Sequence, residues 1–381
     1  MNFGYSILLT AVLSALVAGS TVYCVLVIIA AVRYLHQTPP RPELAPSISV
    51  LTPLHGAEMG LEENLRSSFS QRYPRFELLF AFRHSDDPAS QIVQKLMAEF
   101  PHVPTRIIIT GEPPCPNAKV FSLHLMQAAA QFDLLVMKDS DVRTGTDMLE
   151  AIAVEFQNAR VGMVTCPYLA IAERGFWWKL DALGMNTQFL GGVLVARMLE
   201  GMKFALGPAI AVRKSVLAEM GGIETLNDYL AEDFVIGQTA DRLGHRVILS
   251  SYRIEHHIGG GGFWSNMQHR LRWVRSTRRS RPSGYVGELF TNPLPLALAL
   301  WLWEPRLWPV ALAAVLLRAA AGWVAVYRVL RGSLTIFQWL CVPLQDMLSF
   351  FFWIAGFFGN TVLWRGRQYQ LGRDGRIALI G

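Results

Sequence analysis

The sequence predicts an α/β domain with a mostly parallel sheet, flanked by membrane helices at the two ends of the chain. Residues 5–32 carry no charged side chain and residues 307–363 carry few, whereas residues 47–285 mix charged and apolar residues as folded domains do. Within residues 47–285, short β-rich runs alternate with stretches of helical spacing, an order typical of parallel strands joined by crossover helices. We therefore expect membrane ends and a folded middle domain.

The overall composition agrees with a membrane protein, because 52% of the 381 residues are hydrophobic and ordinary soluble domains are less apolar. The net charge of +6 comes from Lys and Arg that cluster beside apolar segments, at 270–281 and 365–376. This placement favours contact with anionic lipid head groups and excludes nucleic acid as the expected partner. The four cysteines show no metal-type spacing, which fits a reducing compartment.

Residues 1–35 are predicted to form a retained transmembrane helix, because the apolar run is longer than that of a signal peptide and no basic segment precedes it. Arg33 and Arg41 follow the run, so the positive-inside rule places the middle domain in the cytoplasm. Residues 36–47 contain four prolines and read as a stiff stalk. We therefore expect an integral protein of the inner (cytoplasmic) membrane.

Residues 48–285 are interpreted as one cytoplasmic domain. Strands are expected at 48–51, 77–82, 105–110 and 134–137, with helices at 62–70, 90–100 and 122–130 between them. Ligands of such sheets bind at the carboxyl ends of the strands. The functional residues are therefore expected in the loops that follow the strands.

The C-terminal region is interpreted as an interfacial segment at 286–304, two transmembrane helices within 305–363 and a basic cytoplasmic tail at 364–381. The arginines of the tail favour the cytoplasm, which requires an even number of crossings after the middle domain. This assignment leaves Arg328 and Arg331 on the outer side.

An acidic motif, Asp139-Ser140-Asp141, directly follows the apolar run 134–137. Its carboxylates suit a divalent cation, Mn²⁺ or Mg²⁺, that bridges the protein to a diphosphate. The same residues alone are also compatible with a solvated turn. Asp86 and Asp87 follow an earlier strand and would share the sheet edge, although Asp87 before Pro88 also fits a helix N-cap.

Three further charged residues are candidates for chemistry. Lys119 is expected in a loop before a helix, either binding phosphate or lying on the surface. Glu232 and Asp233 begin an expected helix, where one could act as a general base or both could simply complement the helix dipole. His256 and His257 lack partners at zinc-type spacing, so no zinc site is expected.

The segment 269–273 combines cations with a large aromatic residue. Arg272 could bind a leaving diphosphate through charge-assisted hydrogen bonds, and Trp273 could line a sugar or acceptor pocket. The alternative is a basic amphipathic helix that lies on the membrane.

Taken in order, these motifs resemble glycosyltransferases of the GT-A fold, and most closely the ceramide glucosyltransferase-like family, glycosyltransferase family 21. The resemblance spans about residues 47–285. The matching segments are Ser49–Gly56, His84–Ala89, Asn117–Val120, Asp139–Asp141, Gly207–Ala209, Gly221–Gly222, Ala231–Phe234 and Arg272–Trp273.

The resemblance implies an inverting enzyme that uses a UDP-sugar, UDP-GlcNAc or UDP-glucose, and a lipid acceptor. It implies Asp233 as the base, Asp139 and Asp141 as metal ligands, and Arg272 and Trp273 as the end of the family signature. It places the nucleotide-sugar contacts at Thr52, Pro53, Glu58, Asp86, Asp87, Lys119 and Asp139, and the positioning of sugar or acceptor at Glu232 and His269. The signature begins with Gln or Arg in the family, whereas His269 stands there in this chain.

The acceptor implied by the resemblance is either ceramide or, in a bacterial branch of the family, the polyol side chain of a hopanoid such as bacteriohopanetetrol. The segments 275–278 and 292–296 look more like the hopanoid branch. Two other functions stay open at this point. A processive polysaccharide synthase would need more membrane segments than this chain offers, and the clustered carboxylates argue against a non-enzymatic membrane scaffold.

Overall fold

The computed structural model describes residues 3–40 and 45–380, so Arg41 and Pro42 of the expected stalk lie outside the described residues. The chain forms two compact units that alternate along the sequence. The helical unit comprises the described residues of Met1–Gln37, Arg174–Gly201 and Gly261–Trp364. The sheet unit comprises those of Thr38–Glu173, Met202–Gly260 and Arg365–Gly381.

The α-helices and strands are numbered in chain order. The helices are α1 (Phe3–Leu35), α2 (Leu61–Phe69), α3 (Pro88–Glu99), α4 (Ala118–Ala129), α5 (Met148–Ala153), α6 (Phe176–Gly184), α7 (Leu190–Glu200), α8 (Lys214–Glu219), α9 (Glu232–Arg242), α10 (Phe263–Ser280), α11 (Pro282–Gly287), α12 (Pro293–Trp303), α13 (Trp308–Trp323) and α14 (Ile336–Gly356). The strands are β1 (Ile48–Pro53), β2 (Phe76–Phe82), β3 (Thr105–Ile109), β4 (Leu134–Lys138), β5 (Val142–Arg143), β6 (Val161–Thr165), β7 (Tyr168–Ala172), β8 (Ala209–Arg213), β9 (Arg246–Leu249), β10 (Ile254–Ile258), β11 (Thr361–Trp364), β12 (Arg367–Leu371) and β13 (Ile377–Leu379). Short 3-10 turns lie at Val154–Gln157, Ile223–Leu226, Glu288–Thr291 and Pro305–Leu307, and π-helical turns at Met185–Phe189 and Val324–Val329.

The central sheet has seven strands in the order β3-β2-β1-β4-β8-β6-β9. Strands β3, β2, β1 and β4 are parallel, β8 is antiparallel to both its neighbours, and β6 is parallel to β9. The predicted mostly parallel α/β sheet is therefore confirmed. Because β1, β2 and β4 run in one direction, the loops that follow them open at the same edge of the sheet.

The start of α4 differs from the sequence-based prediction. We predicted a helix from 122, with Lys119 in the preceding loop, but α4 begins at Ala118. The side-chain oxygen of Asn117 accepts hydrogen bonds from the backbone N–H groups of Lys119 and Val120, at 3.1 and 3.2 Å. This N-cap satisfies two donors of the first turn and starts the helix four residues earlier. Lys119 therefore lies on a rigid helical turn.

The helical unit is held by apolar packing around α1. Val17 of α1 packs with Leu296 and Leu300 of α12 and with Ala314 of α13. Helices α6 and α7 are continuous through the π-helical turn between them, so Phe176–Glu200 forms one helical stretch. Among the described residues, three helical segments are long and apolar enough to cross a membrane, namely Tyr5–Leu35, Pro305–Val329 and Ile336–Gly356.

A buried ion pair joins α13 to α14. Arg318 Nε lies 2.9 Å from Asp346 Oδ2, and a terminal nitrogen of the same guanidinium lies 2.7 Å from Oδ1. The guanidinium also donates to Thr187 Oγ1 at 3.1 Å. Both charged residues are almost completely buried. Planar two-point pairing of this kind fixes how the two helices face each other.

The end of the chain belongs to the sheet unit. Strands β12 and β13 pair antiparallel, and the backbone N–H of Ile377 donates to the Asp228 carbonyl at 2.6 Å. The Arg376 guanidinium lies over the Tyr229 ring and donates to its hydroxyl at 3.2 Å. The segment predicted only as a basic tail thus forms a hairpin beside the loop that precedes α9.

We expect Arg318→Leu to destabilise the helical unit by about 3–5 kcal/mol, because the Asp346 carboxylate would stay buried without its partner. The measurement is thermal unfolding of the purified protein in detergent. The matched control is Arg318→Leu combined with Asp346→Leu, which removes both charges and should recover most of the loss. If the double variant is as unstable as the single one, the loss of stability does not come from leaving the Asp346 carboxylate unpaired.

Candidate active site

The acidic motif forms a tight turn between β4 and β5. The backbone N–H of Asp139 donates to the Pro208 carbonyl at 3.0 Å, and that of His257 donates to the Asp141 carbonyl at 2.8 Å. Below the turn, the buried Lys138 ammonium donates to the Val142 carbonyl at 2.7 Å. Burial lowers the pKa of Lys138 to about 8. The turn is therefore anchored by its neighbours, unlike a freely solvated loop.

The Lys119 ammonium joins the acidic turn to the start of α9. Its Nζ lies 2.7 Å from Asp139 Oδ1 and 3.1 Å from Glu232 Oε1. Desolvation acts to lower the pKa of Lys119, but the two carboxylates outweigh it and the pKa is raised above its usual value. Lys119 is therefore a permanently charged bridge between two predicted site residues.

Asp141 has a different partner, His256 of β10. His256 Nε2 lies 3.1 Å from Asp141 Oδ2, and the histidine side chain is largely buried. Desolvation acts to raise the pKa of Asp141, but His256 outweighs it and the pKa is lowered. Within the part of the chain that the structure describes, buried Asp141 Oδ1 has no hydrogen-bond partner.

The donor atoms of the acidic turn fit a divalent cation. Asp139 and Asp141 offer the hard carboxylate oxygens that Mg²⁺ and Mn²⁺ prefer, and the unpartnered Oδ1 of Asp141 is available for coordination. Across residues 3–40 and 45–380, no group of three or more His, Cys, Asp or Glu side chains could hold a metal by itself. A cation here would complete its shell with water and substrate phosphate, as Mg²⁺ commonly does.

Glu58 lies near the acidic turn. It is exposed to solvent, yet desolvation and the neighbouring Asp141 and Asp139 carboxylates raise the pKa of its side chain. The predicted nucleotide-sugar contact at Glu58 is thus a carboxylate that takes a proton more readily than usual.

Asp233 occupies the first turn of α9. Its Oδ1 accepts a hydrogen bond from the Phe234 N–H at 2.9 Å. A Cβ on Gly207 would lie 2.9 Å from Asp233 Oδ2, so a larger residue at 207 would push this carboxylate from its position. Desolvation and the adjacent Glu232 raise the pKa of Asp233 to about 6, against the lowering effect of Lys119. A carboxylate with this pKa can accept a proton near neutral pH.

A cation-rich cleft opens at the carboxyl ends of β1, β2 and β3. Its lining includes Pro53, Arg83, Thr110, Lys119 and Arg365. The cleft thus shares Lys119 with the acidic turn. Cationic side chains beside a carboxylate turn are the arrangement that a nucleoside diphosphate with its metal ion would need.

In the first acidic pair, Asp87 stabilises the local fold. Asp87 caps α3 by accepting from the Ala89 N–H at 2.9 Å, and it also accepts from the Gly56 N–H at 3.0 Å. Asp86 is exposed. Thr52 at the end of β1 is fully buried, and its hydroxyl has no hydrogen-bond partner among the described residues. The N-cap interpretation of Asp87 is confirmed, while its contact with a nucleotide stays a prediction.

The signature residues lie on α10 of the helical unit. His269 Nδ1 lies 3.0 Å from Asp181 Oδ2, and its ring packs between the rings of Trp178 and Trp273, with centroids 5.2 and 5.6 Å away. Arg272 is half-buried on the same helix. The histidine that replaces Gln or Arg in the signature is therefore ordered by a carboxylate and two indole rings.

Asp181 is the centre of a buried polar network in this unit. It accepts from Asn266 at 3.0 Å as well as pairing with His269, and Arg270 lies 3.5 Å from its other oxygen. Desolvation acts to raise the pKa of Asp181, but His269 and Arg270 outweigh it and the pKa is lowered. Arg270 continues the network to Gln345 of α14 at 3.0 Å.

The family model of Glycosyl transferase family 21 matches residues 10–377. The chain belongs to glycosyltransferase family 21. The match extends well beyond the 47–285 over which the motifs are recognised, and includes the apolar helices.

Curated relatives of this family 21 glycosyltransferase include two ceramide glucosyltransferases from Caenorhabditis elegans. Ceramide glucosyltransferase 3 is 26% identical over 96% of this chain and 82% of the relative. Ceramide glucosyltransferase 1 is 26% identical over 91% of this chain and 76% of the relative. Among solved structures, a mannosyltransferase from Pyrobaculum calidifontis in complex with GDP-Man and Mn²⁺ matches with a TM-score of 0.56 at 19% identity, over 91% of this chain and 97% of that one. The predicted GT-A fold is thereby confirmed.

Several residues of the family 21 enzyme that order the site were missed by sequence reasoning. The sequence offers no zinc site at His256 and gives no other role for it, yet its Nε2 contacts Asp141 Oδ2. Asn117 caps α4 and also donates to the Tyr229 carbonyl at 2.8 Å, just before the start of α9. Asp181 was not singled out at all. The Asn-x-x pattern before α4 was a visible N-cap signal, whereas the partners of His256 and Asp181 lie more than 80 residues away in the chain.

If Asp233 is the base of the family 21 enzyme, kcat/KM should fall about tenfold per pH unit below a pKa of about 6, because the protonated carboxyl cannot accept a proton. Lys119→Met should move this acidic limb to higher pH, since the ammonium lowers the pKa of Asp233. The measurement is the pH profile of kcat/KM for both proteins with saturating metal. An acidic limb that stays at the same pH in Lys119→Met would contradict the assignment.

Proposed function

We propose that this family 21 enzyme transfers a sugar from a UDP-sugar to a hydroxyl group of a membrane lipid, with inversion at the anomeric carbon. The observation that carries the proposal is the arrangement around Lys119, which links the acidic turn at Asp139 to Glu232 beside the carboxylate of Asp233. The proposed diphosphate site and the segment that carries the proposed proton acceptor thus both contact the Lys119 ammonium group.

The donor is proposed to be UDP-glucose or UDP-N-acetylglucosamine. The cleft beside β1 to β3 supports a nucleoside diphosphate, because Arg83, Lys119 and Arg365 supply positive charge and Pro53 supplies an apolar wall. Thr52, Glu58, Asp86 and Asp87 remain proposed contacts of the nucleotide-sugar from the family resemblance.

Asp139 and Asp141 are proposed to hold a divalent cation, Mn²⁺ or Mg²⁺. When bound, the cation would neutralise charge on the diphosphate and so make it a better leaving group. His256 keeps the Asp141 carboxylate oriented through Oδ2 and leaves Oδ1 for the metal. Lys119 holds Asp139 in place from the other side.

In the proposed reaction, Asp233 accepts the proton of the acceptor hydroxyl while that oxygen forms a bond to the anomeric carbon. The bond from this carbon to the diphosphate oxygen breaks, and UDP leaves with the bonding electrons. Glu232 stays paired with Lys119 and keeps the base segment in position. Arg272, Trp273 and His269 are proposed, from the family signature, to bind the leaving diphosphate and to position sugar and acceptor.

The acceptor is proposed to be a hydroxylated membrane lipid, either ceramide or a hopanoid polyol such as bacteriohopanetetrol. The ceramide glucosyltransferase relatives support a lipid acceptor. Three helical segments long and apolar enough to span a membrane support a membrane location. We propose the inner membrane, with the sheet unit in the cytoplasm where nucleotide sugars are made.

The direct test is to incubate the purified full-length protein with UDP-glucose or UDP-N-acetylglucosamine and with ceramide or bacteriohopanetetrol, and to identify the lipid product by mass spectrometry. We expect one sugar per lipid. Asp233→Asn should lower kcat by at least about 10²-fold while UDP-sugar binding is retained, because only the proton acceptor is lost. The matched control is Asp241→Asn in the last turn of the same helix, which should keep its activity.

A polymer-length product would instead indicate a processive synthase, and no transfer with any donor would favour a membrane scaffold. Wild-type-like turnover by Asp233→Asn would remove Asp233 from the role of base.

Chelation should abolish transfer, and Mn²⁺ or Mg²⁺ should restore it. Asp141→Asn should weaken Mn²⁺ binding, measured by electron paramagnetic resonance of the protein with UDP, because one negative ligand is removed. The control is Asp133→Asn, an exposed carboxylate just before the opposite end of β4. Unchanged Mn²⁺ binding in Asp141→Asn would exclude this carboxylate as a ligand.

A further inference from the structure

Helix α14 has one exposed apolar face along its whole length. The side chains of this apolar stripe recur every three or four residues and are between 42% and 80% exposed: Ile336, Phe337, Leu340, Leu344, Met347, Phe351, Ile354 and Phe358, just past the helix end. The opposite face carries Gln345 and Asp346, which are buried against other helices of the same unit. The stripe therefore requires an apolar environment on one side only.

Helix α10 runs beside the buried face of α14 in the same direction. Arg270 donates to the Gln345 side chain, and eight residues later Arg278 donates to the Gly359 carbonyl at 2.8 Å. Between them, Arg275 donates to the Phe358 carbonyl at 3.1 Å. The arginines of α10 stand at 270, 272, 275, 278 and 279. A helix with five arginines is too costly to place across the hydrocarbon core, at about 2.5 kcal/mol or more for each at the centre.

The chain connections place both ends of α14 on one side of a membrane. Helices α6 and α10 begin three residues after Glu173 and Gly260, where segments of the sheet unit end. The ring of Phe176 packs on Phe337 and the ring of Trp177 packs on Phe263, so α14 begins beside these two helix starts.

At its other end, α14 stops nine residues before Arg365, where the chain returns to the sheet unit. The backbone of residues 357–364 is not helical, and such backbone is not tolerated in contact with lipid chains. A folded sheet unit lies on one side of a bilayer. Both ends of α14 therefore belong to that same side.

The charges between α13 and α14 give independent support. If both helices crossed the membrane, Arg328 and Arg331 would lie on the side opposite the sheet unit. With the sheet unit in the cytoplasm, as proposed above, that position would go against the positive-inside rule. If α14 stays on the side of the sheet unit, α12 and α13 form a hairpin that enters the membrane and returns. Arg328 and Arg331 then lie on the side that the rule favours.

We propose that α14 does not cross the membrane but lies in the interface of the leaflet on the sheet unit's side, with its apolar stripe against the acyl chains of that leaflet. This placement replaces the two crossings that the sequence suggested within 305–363. It is independent of the identity of the donor and the acceptor. The α13–α14 connection then stays on the sheet unit's side.

The test uses full-length protein in sealed vesicles of both orientations and a membrane-impermeant maleimide. Cysteines are introduced one at a time at Ser333, an exposed position between α13 and α14, and at Ala98, an exposed position on α3 of the sheet unit. The background carries Cys115→Ser and Cys341→Ala to suppress labelling of the partly exposed native thiols. We expect both positions to be labelled in vesicles of the same orientation and protected in the other. Labelling in opposite orientations would overturn the proposal.

A second measurement does not depend on reagent access. A fluorophore is attached at Leu340, Met347 or Ile354 in turn, and its depth is measured with lipid-bound quenchers. Leu340 and Ile354 are 14 residues apart, or about 21 Å along a helix. An interfacial helix should give similar shallow depths at all three positions. A deep Met347 between two shallow ends would show a crossing helix and refute the proposal.

Discussion

The Lys119 ammonium lies between two carboxylates that come from distant parts of the chain, Asp139 after β4 and Glu232 at the start of α9. Without this charge, Asp139, Glu232 and Asp233 would be half-buried anions that repel one another. The position of Lys119 depends in turn on Asn117, which caps α4 and also donates to the Tyr229 carbonyl just before α9. The N-cap residue Asn117 therefore connects the helix that carries Lys119 with the segment that leads into α9.

The buried charges of the helical unit are likewise paired with charges or polar groups. Asp181 of α6 contacts Asn266, His269 and Arg270 of α10. Arg318 of α13 pairs with Asp346 of α14. Buried charges are tolerated only when partners satisfy them, and each pair specifies one relative placement of its helices. Helix α10, which carries the signature residues, is thus positioned by polar contacts, whereas α1 is held by apolar packing.

Much of the sheet unit could be predicted from the sequence because its strands and helices alternate along the chain. Alternating strands and helices imply a parallel sheet, and a parallel sheet brings the residues after β1, β2 and β4 to one edge. The pairing of His256 with Asp141 could not be predicted, since it depends on the register of β10 beside β5, 115 residues away. The strands β12 and β13 were also missed, because the arginine and glutamines of β12 and the arginines of the turn between the strands made the segment look like a solvated tail.

Local sequence patterns also gave no information about which helices α6 and α10 contact. Both helices contain charged residues, so the sequence grouped them with the middle domain, while their contacts are with α14 and with each other in the helical unit. Which helix a charged side chain faces is decided by tertiary pairing, and periodicity alone carries no such information.

Each unit is assembled from three separate stretches of chain, and the sheet unit receives its last stretch only after α14. The Arg376–Tyr229 contact near the start of α9 is therefore made by residues that are synthesised after α14. A fragment that ends at residue 285 would lack β12 and β13 and would expose the faces of α6 and α10 that α14 covers. The fold of the sheet unit is therefore completed only after all the helices of the helical unit have been synthesised.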